Sequence, residues 1–302
     1  MFFAFIALQA VLATVSGQSQ SLFEGRRSLI ILKSTDHNEL LKTRDIVEKS
    51  GGHITHLFPP NILQGYLTEK AEKELQKTGW IKTITDKSLP AGEKEFSSSE
   101  RLALTTWNST FVKTLVTRDG EPKGKQDHNT VKAPDLENTN NKFVLRGQKN
   151  FYLTSEYMMG SIAVGIVFVE SNGQLDKKTE TWTDEDKEDA LNQIYKGLDW
   201  WAEIGGYKAG LSWTYEIQSL KTPYEPIHRT KDESILWIKD CIGQLGYKND
   251  EDYTLNREYA NDLRDKYQTD WAYVIYIVPA TNDDDGYFAD KSGIAWAYLG
   301  GP

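Results

Sequence analysis

SLIILKSTDHNELLKTRDIVEKSGGHITHLFPPNILQGYLTEKAEKELQKTGWIKTIT, residues Ser28–Thr85, carries the pattern on which the N-terminal fold turns. Its first run, Ser28–Ser34, reads as a short apolar strand. Thr35–Gly52 reads as a helix, with Asp36 and Glu39 in capping-box spacing and Gly51-Gly52 as a left-handed stop. Two strand-like runs, His53–Phe58 and Ile62–Leu67, follow, separated by Pro59, Pro60 and Asn61. A second helix starts on Thr68 and stops on Gly79, and Trp80–Thr85 closes the unit as a strand. The order β-α-β-β-α-β over 27–86 predicts a ferredoxin-like sheet with both helices on one face.

Composition bounds what such a chain can do. With 302 residues, 39% apolar and 26% charged, it is long enough for two cores. The net charge of -9, from 44 acidic against 35 basic residues, argues against a nucleic-acid partner, because counterion release needs clustered Lys and Arg. The apolar stretch MFFAFIALQAVLATVSG, 1–17, is too short to span a bilayer and reads as a secretory signal, with Val15 and Gly17 at the small-residue positions and Gln18 as the new N-terminus. No other stretch is long and apolar enough for a membrane helix, so the expectation is a secreted, extracellular protein with no membrane contact after signal cleavage. Cys241 is the single cysteine, which rules out an intrachain disulfide. It shares a helical stripe with Ile235, Ile238, Ile242 and Leu245 and reads as a buried small hydrophobe. Asn108-Ser109-Thr110 is a sequon, of the kind that also arises by chance.

Residues Gly51–Thr85 resemble the inhibitor-type propeptides of subtilisin-like proteases. That resemblance implies an intramolecular chaperone and inhibitor, whose sheet packs on a protease while the tail, here DKSLPAGEKEF (86–96), lies in the substrate cleft. A ferredoxin-like domain without inhibitory role is the alternative. The segments that position a Ser-His-Asp triad in a subtilase are missing downstream. From 87 to 150 the composition turns polar, interrupted by RLALTTWNSTFVKTLVT, a strand or short helix. RDGEPKGKQDHNTVKAPDLENTNNK, 118–142, is the best linker or exposed-loop candidate and a place for activation cleavage.

A second domain is expected over 151–302. Ser161–Glu170 is a continuous apolar strand suited to burial on both faces. Trp182–Gly206 reads as a helix capped by Thr183, with Asp184, Glu185 and Asp186 in the first turn and Leu191, Ile194, Leu198 and Trp201 inward. Leu211–Gln218 alternates as a half-buried strand, helices follow around 234–245 and 257–267, and Trp271–Val278 reads as a fully buried strand. A last strand is expected in GIAWAY, 293–298. Eight of the nine tryptophans lie after residue 100, so an aromatic platform for carbohydrate competes with ordinary core packing.

Chemistry-bearing motifs are sparse. The histidines, His37, His53, His56, His128 and His228, include no pair at i, i+4. His53 and His56, three apart on a strand, are expected on opposite faces and make poor co-ligands. The loop TNDDDGYF, 281–288, has Asp283, Asp285 and Gly286 of a calcium-loop pattern, but Thr281 and Ser292 stand at the first and last ligand positions, which favours a solvated acidic turn. No catalytic, cofactor-binding or metal residue is assigned.

Read whole, 153–302 resembles the N-terminal half of secreted zinc metallopeptidase-like proteins, through TSEYMMGSIAVGIVFVESNG, WTDEDKEDALNQIYKGLDWWAE, LSWTYEI, DLRDKYQTDWAYVIYIV and the NDDDGYFAD to AYLGGP region. That family carries an HExxH helix soon after the Gly-Gly-Pro turn, and this chain has none, so no zinc ligand or general base is carried over. The expectation is an α/β (α+β) chain. A ferredoxin-like propeptide domain precedes an incomplete zincin-like sheet domain, truncated before the active-site helix, in a precursor that uses zinc only in a longer protein. The expected partner is a protease domain, in cis or in trans, or a peptide. Alternatives are a secreted inhibitor acting in trans and a Trp-rich carbohydrate- or surface-binding module.

Overall fold

The computed structural model describes residues 23–89, 97–111, 158–248 and 254–291. The expected signal segment, the tail from Pro90 to Phe96, the 118–142 linker, His128 and the 293–298 strand lie outside the described residues. The chain is a mixed α/β fold with a seven-stranded mixed sheet and six α-helices among those residues. In order they are β1 (Arg26–Leu32), α1 (His37–Lys49), β2 (His53–Phe58), β3 (Ile62–Leu67), α2 (Glu69–Gln76), β4 (Ile81–Thr85), α3 (Ser98–Ser109), β5 (Ser161–Ser171), α4 (Asp184–Ala209), β6 (Ser212–Thr222), α5 (Ser234–Gln244), α6 (Thr254–Lys266) and β7 (Trp271–Ile277).

Local chemistry explains most boundaries. The Asp36 carboxylate accepts from the Asn38 amide and caps α1, but Glu39 takes the Ser34 hydroxyl instead of closing the expected capping box. Gly51, at φ 83°, ends that helix in the left-handed region that favours glycine. Thr68 caps α2 through the Ala71 amide, and Thr183 and Asp186 cap α4 reciprocally. Of the ambiguous segment 101–117, residues 101–109 belong to helix α3, which starts on a full capping box between Ser97 and Glu100, and 112–117 lie outside the described residues.

The strand order is β4-β1-β3-β2-β6-β5-β7. Neighbours among the first four are antiparallel, whereas β2–β6, β6–β5 and β5–β7 are parallel. The segments 27–86 and 151–302 therefore share one sheet, joined where His56 pairs with Trp213 and Leu57 with Thr214.

Alternation along β5 assigns the layers. Ile162, Val164, Ile166 and Phe168 pack with α3 and α4, while Ala163, Val167 and Val169 face α5 and α6. Across the N-terminal strands, α1 and α2 cover the same side as α5 and α6. The α3/α4 side is a single core that takes Leu29, Phe58 and Ile62 from the N-terminal strands together with Trp213 and Tyr215 from β6.

Two burial expectations change for the same reason. β6, expected half-buried, has Ser212 and Thr214 buried as well as Trp213 and Tyr215, because it lies inside the sheet with cover on both faces. β7, expected fully buried, buries Ala272 and Val274 but leaves Tyr273, Ile275 and Ile277 half-buried, since among the described strands it is terminal.

A bulge lies between Ile54 and His56 on β2. Ile54 and Leu57 consequently both pack against α1 and α2, so a spacing of three no longer means opposite faces. The opposite-face expectation for His53 and His56 fails with it. Gly65 sits across from this bulge, and a Cβ there would lie 2.2 Å from the His53 carbonyl oxygen and 2.7 Å from the Ile54 Cα. Both obstacles are backbone. Gly65→Ala is expected to destabilise the chain by about 1–3 kcal/mol, the cost of overpacking. The check is its urea midpoint, and an unchanged midpoint would contradict this close approach.

Candidate functional site

The densest buried polar network lies at the seam between the N-terminal strands and the rest of the sheet. On α4, Tyr195, Asp199 and Glu203 recur every fourth residue, so one helical stripe presents all three to the sheet. Arg27 of β1 donates through Nη2 to Asp199 Oδ1 and Oδ2 at 3.1 and 3.2 Å and to the Tyr195 hydroxyl at 3.3 Å, and through Nη1 to Glu203 at 3.3 Å. His56 of β2 reaches the same carboxylate, with Nε2 3.0 Å from Asp199 Oδ1. Its Nδ1 lies 2.9 Å from the Tyr215 hydroxyl of β6.

The proton positions follow from donor chemistry. An ionised carboxylate can only accept, so Nε2 carries the hydrogen, and Nδ1 of the neutral ring accepts from Tyr215 O–H. The network runs on from Tyr195, which donates to Gln64 Oε1 at 2.8 Å, to Gln64 Nε2, which donates to the Ala103 carbonyl of α3 at 2.8 Å. Rings pack around it: His56 lies 4.5 Å from Tyr195 and parallel to Tyr215 at 5.9 Å.

Burial sets the electrostatics. His56 is 0% exposed, and this pushes its ring below the ordinary histidine value, with Asp199 offsetting only part. For Asp199 burial acts upward, but His56 and Arg27 outweigh it and hold the carboxyl below its usual range. Burial and the nearby Asp199 charge raise the Tyr195 phenol, and burial together with Tyr195 raises Tyr215.

Asp199, His56 and Tyr215 have the connectivity of a proton relay, yet neither the ring nor the phenol is open to a substrate, since Tyr215 is 1% exposed. What the arrangement does is hold. Asp199 binds two strands of the N-terminal segment to a helix that begins almost a hundred residues after that segment ends.

A second set of bonds crosses the seam on the opposite side of the sheet. His37 Nε2 lies 2.6 Å from the Lys266 carbonyl, and Arg44 Nη1 donates to the Tyr267 carbonyl at 3.1 Å. Both oxygens end helix α6, where carbonyls lack intrahelical partners and cations are favoured. On the His56 face, by contrast, His53 Nε2 lies 3.0 Å from the Leu211 carbonyl at the start of β6, and Nδ1 is 3.0 Å from Glu48. Burial pulls the His53 ring down, but Glu48 and the Leu211 carbonyl outweigh it and raise the ring above its ordinary value.

Other residues singled out in the sequence are occupied with structure. Cys241 is 0% exposed between α5 and the sheet, and burial pushes its thiol up. In the acidic turn, Asp283 accepts from the Asp285 and Gly286 amides and Asp285 from Tyr287, with Lys291 3.1 Å from Asp285. His228 Nε2 lies 3.4 Å from Thr179 Oγ1. Glu225 and Glu180, both buried, bind loop amides at the ends of β5, β6 and β7. Asn108 of the sequon exchanges both hydrogen bonds with the Leu89 backbone at 2.9 and 2.6 Å, so its amide is engaged in holding the chain after β4. Of the described tryptophans Trp200 alone is exposed, and it meets Trp201 edge-on, which does not make a flat sugar platform.

Among the described residues no three His, Cys, Asp or Glu side chains are disposed to hold a metal ion. No helix of the described residues is long and apolar enough to cross a membrane.

The seam residues escaped the sequence reading because Arg27 and His56 stand 172 and 143 residues from Asp199. The one available signal was the Tyr195, Asp199, Glu203 stripe beside the apolar face of α4. Asp199→Ala is expected to cost about 3 kcal/mol, because it leaves Arg27 and His56 without their shared carboxylate. Urea denaturation checks this, and a loss under about 0.5 kcal/mol, the range of an ordinary surface change, would contradict it. Comparison of the chain with protein-family models, with curated proteins and with solved structures gives no match.

Proposed function

We propose that residues 26–85 form a ferredoxin-like, propeptide-type unit that acts in cis on the remainder of a secreted, metallopeptidase-like precursor, as a folding scaffold and blocking unit. The chain itself is read as non-catalytic, with no cofactor assigned. The observation that carries this reading is the seam: the N-terminal unit adds its β2 edge to β6 and supplies Arg27 and His56 to Asp199. Strand addition gives main-chain pairing, and the buried charge selects one docking register. The element order β-α-β-β-α-β, with sheet order β4-β1-β3-β2, supports the propeptide-type assignment.

Action in cis is favoured over an inhibitor acting in trans by two further contacts. The β2 edge is already occupied by β6, and the start of the tail is held by α3 of the same chain, through Trp107 Nε1 to the Lys87 carbonyl at 2.8 Å and Asn108 to Leu89. His37 and Arg44 also finish α6, so the second segment depends on α1 for its last helical carbonyls.

The test is to produce residues 97–302 alone and together with 18–89 as a separate chain. Alone, 97–302 is expected to be aggregated or to lack near-UV circular dichroism, and co-expression is expected to restore a soluble complex. A native near-UV spectrum for 97–302 alone would defeat the scaffold reading.

A further inference from the structure

We propose that the joint between residues 26–85 and the rest of the sheet opens in weak acid, with His56 as its trigger. The proposal rests on the in-cis docking above and adds its regulation. Its ground is the bonding of the ring. His56 is fully buried, and both of its nitrogens are engaged across the seam, one with Asp199 and the other with Tyr215. In the neutral ring Nδ1 accepts the Tyr215 proton. A second ring proton makes Nδ1 a donor, and the Tyr215 hydroxyl must then turn its own hydrogen away into the aromatic packing of Phe58 and Tyr195. Acid thus adds a buried charge, reverses the His56–Tyr215 hydrogen bond and leaves the Tyr215 O–H without the acceptor it had.

The groups facing His56 decide whether that charge is welcome. From α4 come Asp199, already bound by Arg27, together with Tyr195 and Glu203; from β1 comes Arg27; from β6, Tyr215; from β3, Gln64 and, behind Arg27, Tyr66; and along β2, His53. Two of these, Arg27 and His53, repel a protonated ring. The carboxylate that would welcome it is already shared.

The signs give the window. A buried ring held below its ordinary value contributes stability above about pH 6.5 and loses it as pH falls toward its folded value. His53, raised by Glu48, has its contribution fully present below about pH 6.5 and loses it as pH rises. The two histidines therefore act on opposite sides of one pH, and the joint is tightest between them. Glu203, raised by burial and by Asp199, opposes the acid effect, but nearer the carboxylate range. The slope is accordingly read between about pH 6.5 and 5.5.

Hydrogen–deuterium exchange on the full chain tests this. Protection of the β2 and β6 amides at the seam, corrected for intrinsic exchange and compared with β5–β7 pairs, is expected to fall up to about tenfold per pH unit below pH 6.5, as one proton taken up on opening requires. His56→Gln keeps a donor for Asp199 and an acceptor for Tyr215, and its seam is expected to be flat over that range. Equal seam protection at pH 6.5 and 5.5, or the same fall in His56→Gln, would overturn the proposal.

If His56→Gln does not fold, the ring nitrogens of the wild-type chain are titrated by NMR. A ring still neutral at pH 6 supports the trigger, and a ring protonated there with the seam still protected sinks it. A pH-dependent seam in a chain whose 97–302 segment folds alone would keep the trigger and reject the scaffold. A flat seam with a dependent 97–302 segment would do the reverse.

Discussion

A single carboxylate ties this molecule together. Asp199 stands on α4 where it meets a guanidinium from β1 and an imidazole from β2, and no other described contact brings those strands and that helix to one atom pair. Removing such a group from water is costly unless its partners arrive with it. The N-terminal unit and α4 must therefore dock in one register, since a slip by one residue along β2 would turn His56 away from Asp199 and leave the acid half-paired. The apolar side of the seam, with Phe58 stacked on Tyr215 at 5.1 Å, adds burial but little orientation. Selection of the docked arrangement falls to the polar network.

This division of labour explains the asymmetry of the joint. Strand pairing between β2 and β6 covers two residue pairs, against eleven between β6 and β5. A seam with so little ladder owes its strength to side chains, on one face through Asp199 and on the other through the α1 side chains that finish α6. Joints of that kind respond to charge, whereas a long ladder does not.

Much of the local structure was legible in the residues. Thr68, Thr183, Gly51 and Gly79 marked helix ends by well-understood chemistry, the inward stripe of α4 followed helical spacing, and the unbroken apolar run of β5 announced a strand covered on both faces. What stayed hidden depended on distant neighbours. The bulge on β2 inverts the side-chain alternation that would have separated His53 from His56, and nothing in HITHLF signals it apart from Gly65 on the opposite strand. The joining of the two segments into one sheet was hidden as well. Edge strands carry no mark of which partner covers them, and Asp199 reads as an ordinary exposed helix residue until Arg27 and His56 are placed beside it.

Docked through Asp199, the N-terminal unit and the α4–β6–β5 region are expected to unfold as one cooperative body. Urea unfolding of the full chain, followed by hydrogen exchange resolved to β3 and to β5, tests it most directly. A single transition with coincident midpoints is expected for both strands. Loss of protection in β3 at a clearly lower urea concentration, with β5 still native, would contradict it.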